Sequence, residues 1–231
     1  PEGYAVYEGP AAGDTIEIEG IQPWSHAAPV LYHAVLTLRD ADGVLQEVVP
    51  YDIGFRRFEM INGVMCLNGE RVVFNGVNRH EWNADRGRAI GADDMHAAMA
   101  VFKKNNINAV RTCHYPDQSL WYDLCDRNGI YMIDETNLET HGTWQFGSME
   151  SGANALPGDK PEWAECVLDR ARSMYFRDRN HSSILIWSLG NESWGGTNHE
   201  KMHDFFRSVD PDRVVHYEGV FFDRRFNTTS D

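Results

Sequence analysis

The chain has 231 residues and a formal charge of −14, from 21 basic and 35 acidic side chains, so phosphate backbones and anionic lipid would repel it. That weighs against nucleic-acid and membrane-surface roles. Hydrophobic residues at 42% and charged residues at 24% exclude a disordered or collagen-like chain, and no apolar run approaches the roughly 18 residues that span a bilayer. The opening shows no basic segment followed by an apolar one, as a secretory signal would. Cys66, Cys113, Cys125 and Cys166 form no CxxC pair. They suit a reducing compartment, where all four would be small buried hydrophobes, and a cytoplasmic protein is expected.

Up to about Phe58 the pattern is of short alternating strands. Thr15-Ile-Glu-Ile-Glu19 alternates with period two, as a half-buried strand does. Leu31 to Leu38 is a second run, turned by Asp42-Gly43 into a return strand over Val44 to Val49. These strands predict an antiparallel sandwich over 1–58, the C-terminal part of an immunoglobulin-like domain whose usual length is about 100 residues. The rhythm then changes. Arg71 to Val77 reads as a buried strand, Ala92 to Lys104 as a helix with Met95, Met99 and Phe102 on one face, and Ile107 to Arg111 as a strand. A helix through Leu120, Leu124 and Cys125 stops at Asn128-Gly129, and Ile130 to Ile133 is the third strand. A connection holding Gly142, Gly147, Gly152 and Pro157-Gly158 leads to a helix from Pro161. Ser183 to Leu189, Asn198 to Ser208 and Arg213 to Tyr217 complete the alternation as strand, helix and strand.

Strands alternating with helices predict parallel βαβ units over 59–231. At about 31 residues per unit of a (β/α)8 TIM barrel, this stretch holds between five and six units. The expectation is therefore the N-terminal part of a barrel within a longer polypeptide.

In such a barrel the functional groups follow the C-terminal ends of the strands. Those positions hold Asn78-Arg79-His80-Glu81, Arg111-Thr-Cys-His114, Asp134-Glu135-Thr-Asn137-Leu-Glu139-Thr-His141, Gly190-Asn191-Glu192-Ser193 and Glu218-Gly219. Glu192 follows a strand apolar enough to be buried, so its carboxyl would sit in a partly desolvated rim and could act as a general acid. Asn191 is a neutral donor and acceptor suited to a sugar hydroxyl. Glu139 and His141, two residues apart, could ligate a metal together with Glu192, and a carboxylate-rich set suits Mg²⁺ or Mn²⁺ better than zinc. Trp82, Trp144 and Trp194 lie close to these clusters, and aromatic rings around a polar mouth suit the CH faces of a carbohydrate. Two other readings use the same residues: a metallohydrolase built on His80, His114 and His141, and a carbohydrate-binding or assembly module without catalysis.

The runs Gly76-Val-Asn-Arg-His-Glu81, His114-Tyr-Pro116, Asp134-Glu-Thr-Asn-Leu-Glu-Thr-His-Gly142 and Ile186-Trp-Ser-Leu-Gly-Asn-Glu-Ser193 resemble glycoside hydrolase family 2, specifically its β-galactosidases. Gly142-Thr-Trp144, Pro157-Gly-Asp159 and Glu162-Trp163 are most similar to the large-subunit type of Gram-positive bacteria, with a β-glucuronidase-like member as the alternative. The resemblance implies a retaining enzyme for terminal β-D-galactosides such as lactose. By position, Glu192 matches the acid/base, Asn191 the residue that binds the sugar 2-hydroxyl, and His80 and His114 the histidines that contact galactose hydroxyls. Glu139, His141 and Glu192 match the Mg²⁺ ligands, with Na⁺ a further ion of the complete enzyme, which is expected to be oligomeric. The family's nucleophile follows a later strand, so it is expected outside this chain, which should not turn over alone.

Overall fold

The first regular element is a hairpin. β1 (Tyr32–Arg39) and β2 (Leu45–Ile53) pair antiparallel, and the Asp40 carboxylate accepts hydrogen bonds from the backbone N–H groups of Asp42 and Val44 to hold the turn. The computed structural model describes residues 5–9, 15–145 and 152–231. Gly147, expected in the long connection, lies outside the described residues. The strand expected over Thr15–Glu19 is not formed: these residues join no ladder, and Ile16 is 41% exposed. Alternation stabilises a strand only where a neighbour supplies ladder bonds and an apolar surface, and none faces this segment among the described residues.

A meander follows: β3 (Phe58–Ile61), β4 (Val64–Leu67) and β5 (Glu70–Arg71), turned by Asn62-Gly63 and Asn68-Gly69, all four residues with positive φ. Asn-Gly pairs favour this turn because both tolerate the left-handed region. The continuous buried strand expected over Arg71 to Val77 is therefore divided. Arg71 ends the meander, the next strand begins at Gly76, and Val73 and Phe74 between them are exposed.

The main sheet has five parallel strands in sequential order, β6 (Gly76–Arg79), β7 (Ala109–Thr112), β8 (Tyr131–Glu135), β9 (Ile184–Ser188) and β10 (Val214–His216). A doubly wound sheet would reverse its order at a switch point, whereas sequential order is that of a barrel wall. α1 (Ala92–Lys104), α2 (Ser119–Asn128), α4 (Ala164–Asp178) and α5 (Thr197–Val209) connect the strands, with a short α3 (His141–Gln145) after β8. Met95, Met99 and Phe102 of α1 join Trp121, Met174, Trp187 and Phe206 in the core between helices and sheet. The helix expected from Pro161 opens as a 3₁₀ turn over Pro161–Trp163 and becomes α-helical at Ala164. Cys166 lies on its exposed side, so three of the four cysteines, not all, are buried.

The segment before β3 seals the end of the sheet where the strands begin. Trp24 is fully buried, donates its indole N–H to the Asp126 carbonyl at 2.8 Å, and packs with Phe58, Leu67, Tyr131 and Leu185. Arg56 donates to the carbonyls of Ser182 and Ile184, and the N–H of Gly54 to the Ser182 hydroxyl. Gly129, which ends α2 at φ +68°, touches the same segment so closely that a Cβ there would meet the His26 carbonyl at 2.6 Å. The opposite end, past the strand C-termini, is left for function. No helix among the described residues is long and apolar enough to cross a membrane.

Candidate active site

The buried carboxylate of Glu135, the last residue of β8, organises the rim. It accepts from Arg111 Nε at 2.5 Å, from His114 Nδ1 at 2.7 Å and from the Ser188 hydroxyl at 2.7 Å. Burial opposes its ionisation, but the hydrogen bonds from His114 and Arg111 outweigh burial and hold its pKa below the usual carboxylate range. Arg111 extends the network to Asn191 Oδ1 at 3.0 Å, and Asn191 Nδ2 donates to Glu139 Oε2 at 2.8 Å. Glu139 and Asn191 also form an isolated parallel bridge, which fastens the loop after β8 to the loop after β9. One network thus connects β7, β8 and β9.

Glu192 lies at the centre of the second half of the rim. Its carboxylate is hydrogen-bonded to His141 Nδ1. Its backbone is held at both polar groups: the N–H donates to Glu218 Oε1 at 2.7 Å, and the carbonyl accepts from Trp144 Nε1 at 3.1 Å. Its φ is +29°, and Gly190, Gly195 and Gly196 around it also have positive φ. Trp144 stacks on His141 with ring centroids 4.3 Å apart and meets Trp194 and Phe222, which stack on each other. The Glu192 side chain is half-buried, with 42% of it exposed.

Each residue singled out in the sequence lies on this rim. His80 is exposed after β6, its ring centroid 5.4 Å from that of His114, whose Nε2 is 3.8 Å from Glu139 Oε2. One donor atom each of Glu139, His141 and Glu192 lies within 4.8 Å of the other two. Two carboxylate oxygens and one imidazole nitrogen form a hard donor set, and the solvent-open carboxylates leave room for the waters that Mg²⁺ retains. Neither carboxylate has a Lys or Arg partner among the described residues, so the set fits a divalent cation. Trp82 is 65% exposed, while Trp144 and Trp194 are part of the wall. Reading strand ends alone missed the structural parts of Glu135, Arg111, Trp144 and Glu218. Glu135 and Glu218 do stand at strand ends, but only the spatial contacts reveal what each holds.

The model of "Glycosyl hydrolases family 2, TIM barrel domain" matches residues 58–231, and that of "Glycosyl hydrolases family 2" matches 4–56. The chain belongs to glycosyl hydrolase family 2. Among curated relatives, this family 2 chain is 56% identical over 209 residues to a β-galactosidase of Halalkalibacterium halodurans, covering 90% of this chain and 20% of that protein. It is 53% identical to the β-galactosidase large subunit of Lactobacillus acidophilus, covering 88% and 32%. The chain thus spans about a fifth to a third of the length of these relatives. Among solved structures, the family 2 β-galacturonidase of Eisenbergiella tayi, bound to galacturonate, superposes with a TM-score of 0.73 at 29% identity, covering 87% of this chain and 34% of that one. The β-D-glucuronidase of Dictyoglomus thermophilum has the same score at 24% identity and shares the fold.

Proposed function

We propose that this family 2 chain carries the acid/base half of a retaining β-galactosidase that acts on terminal β-D-galactosides such as lactose, as part of a longer, oligomeric, cytoplasmic polypeptide. The observation that carries the reading is Glu192, placed past the end of β9 with its backbone held at both polar groups and its carboxylate joined to His141. The galactoside specificity is supported by relatives 53–56% identical over about nine-tenths of the chain. On the same reading, the β1–β2 hairpin is part of an immunoglobulin-like sandwich.

Glu192 protonates the departing glycosidic oxygen as its bond to the anomeric carbon breaks. A second carboxylate, expected outside this chain, forms the galactosyl ester. Glu192 then takes a proton from the water that attacks the anomeric carbon, the ester breaks, and both carboxyls return to their starting states. Asn191, His80 and His114 hydrogen-bond the sugar hydroxyls, with Asn191 oriented by Arg111 and His114 by Glu135. Glu139, His141 and Glu192 would hold Mg²⁺, whose charge would offset the mutual repulsion of the two carboxylates and favour one orientation of Glu192. Glu218 and Trp144 fix the backbone that carries it.

The test uses the longer polypeptide that contains this chain, with matched aryl β-galactoside and aryl β-glucuronide. The galactoside should be preferred by at least about 100-fold in kcat/KM, a difference of roughly 3 kcal/mol in transition-state binding. Chelation should lower the rate on the galactoside and added Mg²⁺ should restore it. A preference for the glucuronide would replace this reading with the alternative.

A further inference from the structure

The rim holds a second group of potential ligands with a different chemistry. His80 after β6 and Cys113 and His114 after β7 each offer one donor atom, and all three atoms lie within 4.8 Å of one another. The set is two imidazole nitrogens and one sulfur, with no carboxylate oxygen. We propose that His80, Cys113 and His114 form a binding site for a borderline-soft divalent ion such as Zn²⁺, separate in its ligands and its selectivity from the hard site at Glu139, His141 and Glu192.

Three observations support it. His114 Nδ1 is 2.7 Å from Glu135 Oε1, in a carboxylate already held by Arg111 and Ser188, so Nδ1 is turned to Glu135 and Nε2 is the nitrogen left to meet an ion. A carboxylate behind a ligating histidine is the arrangement by which metalloproteins fix the tautomer and the ring. His80, exposed and with its Nδ1 3.4 Å from the Tyr115 hydroxyl, can turn towards an arriving ion. The Cys113 sulfur has only a weak contact of 3.5 Å, with the Arg111 carbonyl, to give up.

Zinc–sulfur and zinc–nitrogen bonds of about 2.3 and 2.0–2.1 Å put tetrahedral donors roughly 3.3–3.6 Å apart, so a contraction of about 1.5 Å at most closes the site. A water can take the fourth position. Binding transfers the thiol proton to solvent and involves no change in oxidation state. Thiolate favours zinc-like ions, whereas Mg²⁺ requires oxygen.

The experiment is a Co²⁺ titration of the longer polypeptide that contains this chain, in excess Mg²⁺ and without substrate, so its outcome does not depend on the galactosidase reading. A thiolate-to-cobalt charge-transfer band in the near ultraviolet should grow with added Co²⁺ and be abolished by Zn²⁺. Cys113→Ser should remove the band. His80→Ala, at an exposed position where folding is not at stake, should weaken Co²⁺ binding at least about tenfold. Cys166→Ser and Glu192→Gln should both leave the band in place. The proposal is overturned if no band appears, if it survives Cys113→Ser, or if it is lost with the exposed Cys166.

Discussion

At the scale of single residues, Glu192 has a backbone conformation that ordinarily favours glycine. A left-handed φ at a non-glycine residue costs on the order of 1–3 kcal/mol and persists where the surroundings over-determine it. Glu218 and Trp144 supply that determination from two other loops. The identity of Glu192 was legible as a carboxylate after an apolar strand. Its strained backbone and its partners were not, because they depend on residues 26 and 48 positions away. His199 shows the same limit in the core. It stands in a polar stretch of sequence, yet it is fully buried against Tyr217, and burial pushes its pKa down to about 4. An unfolded histidine titrates near 6.5, so below that pH the unfolded chain binds the proton first. The stabilising contribution is complete above pH 6.5 and declines as pH falls towards 4, by on the order of 3 kcal/mol. Urea midpoints at pH 7 and pH 5 should fall less for His199→Phe than for the unmodified chain. Equal falls would contradict the assignment.

At the scale of elements, α1, α2, β8, β9 and α5 lie within about two residues of their expected bounds, because each buries one regular face. The meander β3–β5 was hidden by its short strands, although Asn62-Gly63 and Asn68-Gly69 carried the turn signal. Thr15–Glu19 shows the opposite failure, alternation with nothing to pair against among the described residues. The segment around Trp24 has no periodic pattern at all, yet it closes the sheet. Trp24→Ala removes a fully buried indole and its bond to Asp126, and should cost about 3–5 kcal/mol in urea unfolding. Limited proteolysis should then cut first within residues 22–56. A cost below about 1 kcal/mol would mean that this segment does not hold the sheet closed.

At the scale of the whole molecule, five loops that are distant in sequence meet at one end of a sequentially ordered parallel sheet. Most of the rim was legible once the fold was recognised, since a barrel directs its strand-end residues to one mouth. The division into a hard and a soft donor set was not, because His80 and Glu139 are neighbours of His114 only in space. The central claim is that Glu192 moves the proton in both half-reactions. It is tested most directly by Glu192→Gln in the longer polypeptide, assayed on an activated aryl galactoside with and without azide. The account predicts a variant that forms the galactosyl ester from the activated substrate but hydrolyses it slowly. Azide, which needs no general base, should restore turnover and yield β-galactosyl azide. Equal loss on activated and unactivated substrates, with no azide product, would contradict it.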